Sequence, residues 1–67
     1  MNKELLRYFM ARHGDTSGDL AEVLGISTAS VSAKMNEKGT EFKQGEIAKI
    51  KDRYGLSAEQ VESIFFA

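Results

Sequence analysis

An all-α chain of five short helices is what this sequence predicts, from three observations. Proline is absent from the 67 residues, and β-branched residues nowhere alternate with polar ones over the length of a strand. Apolar residues recur instead at spacings of three and four in five separate stretches. Each stretch is opened by a cap-type residue or closed by a glycine. The length allows one domain, residues 1–67, with one modest core.

The first helix is expected from about Lys3 to about His13, with Leu5, Leu6, Phe9 and Met10 as its apolar stripe. Asn2 is placed as its N-cap, Met1 and Leu6 form a hydrophobic staple, and Gly14 ends it. His13 falls in the last turn, near the negative end of the helix dipole, which is role enough for it. The second helix begins after Thr16, whose hydroxyl suits a cap with Asp19 three residues on. Leu20, Ala21 and Leu24 share its inner face. Gly18 weakens its first turn by roughly 1 kcal/mol against alanine. It is either a tolerated surface glycine or a place where a backbone N–H meets something closely, such as a phosphate.

Gly25 follows the last periodic residue of that helix, where a left-handed backbone is cheap only for glycine. The third helix follows Ser27 as N-cap, with Ile26 and Val31 as staple and with Val31 and Met35 facing inward. Residues 16–36 thus read as two short helices joined by a tight glycine turn, the helix-turn-helix pattern. In its DNA-binding version the second helix lies in the major groove. The outward face of the third helix holds Thr28, Ala29, Ser32 and Ala33. Side chains this short let a backbone press close to a base-pair edge; hydroxyls bond several bases and methyls meet the thymine methyl. The alternative is that serine and alanine merely fill a surface.

Residues 37–43 form a polar loop with a glycine at its turn. Lys38, Thr40 and Lys43 lie in it and Asn36 just before, where a loop after a recognition helix commonly follows the phosphates. Phe42 and Ile47 are spaced as a staple, which makes Lys43 the N-cap of a fourth helix, about Gln44 to Tyr54. Lysine accepts no hydrogen bond and is repelled by the helix dipole, so a docked anion would account for it, while Glu46 can reach back to the cap backbone. This helix is expected to bury Ile47, Ile50 and Tyr54 with Ala48 beside them. Lys49, Lys51, Asp52 and Arg53 are expected on its solvated surface, and Gly55 stops it. The fifth helix opens on a capping box of Ser57 and Gln60 with a staple of Leu56 and Val61. Val61, Ile64 and Phe65 share a face, whereas Phe66 points about 140° from Val61 at 100° per residue. Two phenylalanines exceed what one small core takes from one short helix, so Phe65 and Phe66 are read as a homodimer contact. The alternative is that the terminal residues fold back over the monomer core.

The formal net charge of -1 predicts modest non-specific affinity for nucleic acid. Its distribution is uneven. Residues 1–13 carry Lys3, Arg7 and Arg12 against Glu4; residues 14–26 carry Asp15, Asp19 and Glu22 and no cation. Residues 27–43 carry Lys34, Lys38 and Lys43 against Glu37 and Glu41. The second helix therefore reads as acidic, and the third with its loop as mildly basic. Cysteine is absent, which fits a reducing cytosol and leaves stability to helix packing and a partner subunit. No apolar run approaches a membrane span, and the charged amphipathic start is not a signal peptide, so the expected place is the cytoplasm.

The stretch LAEVLGISTASVSAKMN resembles the core motif of the Cro/repressor helix-turn-helix family, with alanine, glycine and the following aliphatic residue in their family places. The tail, FKQGEIAKIKDRYGLSAEQVESIFF, resembles the last two helices of small phage and prophage regulators from Gram-positive bacteria. The resemblance implies a compact five-helix bundle of the lambda repressor-like kind that binds operator DNA, usually as a two-fold dimer, and regulates transcription. It carries base reading to Thr28, Ala29, Ser32 and Ala33. It carries phosphate contacts to Thr16, Ser17, Asn36, Lys38, Thr40 and Lys43. The chain departs from the family in Glu37, where a glycine often follows the asparagine, and in Ala33, where a longer polar side chain is common. The third helix also lacks the arginine or glutamine that often reads bases there.

The expected partners are double-stranded DNA and a second copy through the C-terminal helix, with no membrane. Catalysis is not expected. One histidine, no cysteine, no glycine-rich phosphate loop and no paired carboxylates in an apolar setting leave nothing to run a reaction. Glu59 and Glu62 read as a solvated face. No metal, cofactor or small-molecule substrate is implied. The alternative to a DNA-binding regulator is a protein-interaction module on the same bundle, such as an antirepressor or an antitoxin-type partner.

Overall fold

Hydrogen bonds at the helix ends set the layout of the computed structural model, which describes residues 1–66. Five helices follow one another: α1 (Lys3–His13), α2 (Ser17–Leu24), α3 (Thr28–Met35), α4 (Gln44–Tyr54) and α5 (Ala58–Phe65). Asn2 Oδ1 accepts from the Leu5 N–H at 3.1 Å, and Ser27 Oγ accepts from the Ser30 N–H at 3.0 Å. Thr16 with Asp19, and Ser57 with Gln60, close reciprocal capping boxes. At Lys43 only half of that exchange exists. Glu46 Oε1 accepts from the Lys43 N–H at 2.8 Å, and the lysine, having no acceptor, returns nothing.

The turn from α2 into α3 needs Gly25, whose φ is 70°; its N–H bonds Glu22 O, and the Ile26 N–H bonds Ala21 O. The same two bonds end α3, from the Glu37 N–H to Lys34 O at 3.2 Å and from the Lys38 N–H to Ala33 O at 3.0 Å. There the left-handed residue is Glu37, with φ 53°. A side chain in that conformation is strained by about 1–2 kcal/mol, which a glycine would avoid.

The core draws on every helix: Leu6 and Met10 from α1; Leu20, Ala21 and Leu24 from α2; Val31 and Met35 from α3; Ile50 from α4; Ile64 from α5. Phe42 and Leu56, from the two loops that precede α4 and α5, complete it. Leu6, Leu20, Val31, Ile50 and Ile64 retain no exposure, and burial of each contributes on the order of 1.5–3 kcal/mol. α2 packs on α3, and α4 lies against both α1 and α2. α1 also packs on α5, and the Asn2 N–H donates to Ile64 O at 2.6 Å, tying the start of α1 to the end of α5. Among the described residues no helix is long and apolar enough to cross a membrane.

Four expectations from the sequence are corrected by the packing. Ala48 is exposed, because it lies about 160° round α4 from the buried Ile50. Arg53, expected in solvent, is half-buried against Asp15. Asp15, read with Asp19 and Glu22 as an acidic stretch without a cation, is neutralised by that contact. Lys34, counted as a surface cation of α3, is buried at 8 % exposure and paired with Glu46.

Candidate nucleic-acid interface

The α2–α3 pair is latched to α4 at both ends. Before α2, the Asp15 carboxylate accepts from Arg53 Nε at 2.6 Å, from Arg53 Nη2 at 2.7 Å and from the Tyr54 hydroxyl at 2.8 Å. The His13 ring stacks edge-on to Tyr54 at 5.4 Å beside them. The Arg53 hydrogen bonds hold the Asp15 carboxyl down at about 2, against the opposing pull of burial. The same contact raises the Arg53 guanidinium. Burial first, and then donation to Asp15, raise the Tyr54 hydroxyl. At the far end of the pair, Lys34 Nζ sits 2.7 and 2.8 Å from the two Glu46 oxygens. Burial pushes the Glu46 carboxyl up, but the hydrogen bonds from Lys34 and the Lys43 N–H together outweigh it, and the net shift is downward.

Held this way, α3 turns Val31, Lys34 and Met35 inward and leaves the opposite side open. Thr28, Ala29 and Ser32 are exposed and Ala33 is half-buried. A methyl group added at Gly18 would lie 3.7 Å from Thr28 Oγ1 and 3.6 Å from Thr16 Oγ1, so the first turn of α2 borders the start of α3. The Thr16 hydroxyl is committed to its cap, accepting from the Asp19 N–H at 3.2 Å and donating to Asp19 Oδ2 at 3.0 Å. Ser17 is half-buried beside it. Asn36 is also committed. Its Oδ1 accepts from Lys3 Nζ at 2.7 Å and its Nδ2 donates to Ser32 O at 3.0 Å. Lys38, Thr40 and Lys43 are exposed, and among the described residues neither lysine has a salt-bridge partner.

With Lys34 withdrawn, the loop after α3 carries Lys38 and Lys43 against Glu37 and Glu41, and Glu37 is paired with the Met1 α-ammonium. With Glu37 paired as well, Lys38 and Lys43 stand against Glu41 alone, so this surface stays mildly basic without Lys34. At the other end of the chain Phe65 is half-buried and packs edge-on to Phe42 at 5.8 Å, while Phe66 stands 68 % exposed.

Sequence reasoning missed both latches. One signal was present: Lys34 stands three residues after Val31 and Arg53 three after Ile50, each on a core-facing stripe where a lone charge asks for a buried partner. Asp15, between two helices, carries no periodic signal at all. Comparison of the chain with family models, with curated proteins and with solved structures found no significant match.

Proposed function

We propose that the chain is a sequence-specific, non-catalytic DNA-binding regulator of transcription, a helix-turn-helix protein of the Cro/repressor kind that lays α3 in the major groove of an operator. The observation that carries the proposal is the division of α3: its inward side is fully occupied by Val31, Lys34 and Met35, and its short-chained outward side is left open. In this reading Thr28, Ala29, Ser32 and Ala33 meet base edges. Backbone N–H groups at Ser17 and Gly18, together with Lys38, Thr40 and Lys43, meet phosphates. Thr16 and Asn36, whose side chains are engaged within the chain, keep the backbone beside the phosphates in shape. Two copies on a two-fold site place their third helices about 34 Å apart. With two free lysines per copy on this surface, the log–log salt slope of binding is expected to be shallow, about -2 per copy.

Selection from a random DNA pool at low salt is expected to enrich one sequence, and a mobility shift should then show salt-dependent binding. Ala33→Glu, which sets a carboxylate against the duplex, should lower affinity by at least about a hundredfold while circular dichroism stays unchanged. Normal binding by that variant removes α3 as the reading surface. One observation favours the second reading, a protein-interaction module such as an antirepressor or antitoxin-type partner: with Lys34 drawn into its pair with Glu46, the candidate face keeps only Lys38 and Lys43, against Glu41. A pool that enriches nothing decides for it.

A further inference from the structure

Tyr8 stands 52 % exposed on α1, a helix whose inner stripe is already filled by Leu6 and Met10. The ring is nonetheless held in place. Arg12, one turn on, sets its guanidinium 5.7 Å from the ring centroid and donates to the Tyr8 hydroxyl at 3.2 Å. Phe9 meets the ring edge-on at 5.3 Å. An exposed aromatic fixed in this way loses little conformational entropy when something binds it. Arg12 also belongs to a second feature. With Phe9, His13, Tyr54 and Gln60 it borders an open concavity of about 290 Å³ at the tail of α1. His13 is set there by its edge-on contact with Tyr54. A guanidinium and an imidazole thus border the concavity, and among the described residues no carboxylate does. Asp15, the acid bonded to Tyr54, has a side chain only 5 % exposed, and its oxygens are taken by Arg53 and Tyr54. Among the described residues neither Arg12 nor His13 is in a salt bridge. In a chain of net charge -1, this corner carries a positive charge with nothing opposite it.

From this corner we infer that α1 docks an acidic segment of another protein, with an aspartate or glutamate in the concavity against Arg12 and His13 and an apolar side chain of the same segment on Tyr8. Charge complementarity selects the carboxylate, and the bare ring selects its apolar neighbour. Tyrosine and arginine are also the side chains that most often dominate binding energy at protein interfaces. An isolated anion would fill the concavity and leave the ring bare; an occupant that reaches both is a chain. A nucleic acid would carry its phosphates past Glu4, which is exposed one turn before Tyr8 on the same stripe. A polypeptide places its acid at Arg12 and need set no charge against Glu4. The inference does not rest on the proposed function, since none of these residues is among those assigned to DNA.

Panning a random dodecapeptide library displayed on phage against the whole chain, with the double variant Tyr8→Ser/Arg12→Glu as counter-selection, tests it. The recovered peptides are expected to carry an aspartate or glutamate within about four positions of an aromatic or aliphatic residue. The peptide recovered most often, made synthetically, is expected to shift the amide NMR signals of Tyr8 to His13 and of Gln60. Its dissociation constant should rise about tenfold or more with Tyr8→Ser and with Arg12→Glu. Lys49→Glu makes the same change in net charge at an exposed position of α4 and should move that constant by no more than about twofold. All three positions are exposed, and circular dichroism checks that the fold is kept. A library that enriches nothing, or enriches basic peptides, would overturn the inference. So would a Lys49→Glu effect equal to that of Arg12→Glu, a DNA duplex that shifts the same signals and loses affinity with Tyr8→Ser, or a chain that sediments as a pair only while Tyr8 is present.

Discussion

The two ends of the α2–α3 pair are fastened to the same helix by opposite arrangements of charge. At the entry, Asp15 is offered by the pair and α4 supplies the cation, a forked guanidinium backed by a tyrosine hydroxyl. At the exit, Lys34 is offered by the pair and α4 supplies the carboxylate, backed by a single backbone N–H. Side-chain exposure is 10 % for Lys34 and 13 % for Glu46, whereas at the entry Asp15 keeps 5 % and Arg53 30 %. The exit latch is thus dry on both sides, whereas the entry is open to solvent on its cation side, and the exit has fewer substitutes when one partner is lost. The entry latch shares its charge among three groups and with solvent.

That difference can be broken at the exit first. Glu46→Ala is expected to destabilise the chain by about 3 kcal/mol in urea unfolding, since it strands a buried ammonium. Replacing both partners, Lys34→Met with Glu46→Leu, should recover most of that loss. A single variant no worse than the double one would show that the exit latch is not the tighter.

The entry latch is expected to give way more gently. Asp15→Asn should cost about 2 kcal/mol, as a charge-assisted set of hydrogen bonds becomes neutral. It also sharpens the comparison through pH. The Asp15 carboxyl lies lower in the folded chain, at about 2, than its ordinary value of 3.8, so its contribution is fully present above that ordinary value and is lost as pH falls through about 2. Glu46 is lowered as well and acts with the same sign. Thermal unfolding followed from neutral pH down to about 2 should show a falling midpoint, and Asp15→Asn should flatten part of that fall.

These latches were the least legible part of the sequence, for a physical reason. A charged residue on a helix looks the same in sequence whether water or a carboxylate faces it, and the partners stand 38 and 12 positions apart. Caps were legible because their chemistry is local. Asn2, Thr16, Ser27 and Ser57 each bond an N–H three residues on. Boundaries for α1 and α4 followed from Gly14 and Gly55. The open face of α3 was legible too, because Val31 and Met35 fix which side turns inward. What the sequence did not show beside it was the burial of Lys34, which leaves Lys38 and Lys43 as the cations of that surface.

The smallest expected effect concerns the exit alone. Glu37→Gly should stabilise the chain by about 0.5–1 kcal/mol, by releasing left-handed strain at the end of α3. Loss of the exposed contact to the Met1 ammonium takes back little. No gain in the unfolding midpoint would place the strain elsewhere.

Glu46 and Arg53 are seven residues apart, two turns of α4 and about 10 Å along its axis, with the buried Ile50 between them on one stripe. Their signs are opposite. A slide of α4 by one turn in either direction would carry the carboxylate away from its ammonium and the guanidinium away from its carboxylate together. An inserted residue between them would swing one by about 100° relative to the other. The stripe therefore works as a two-pin key: α4 has one register in which both pins engage, and that register sets how far apart the ends of the α2–α3 pair are held.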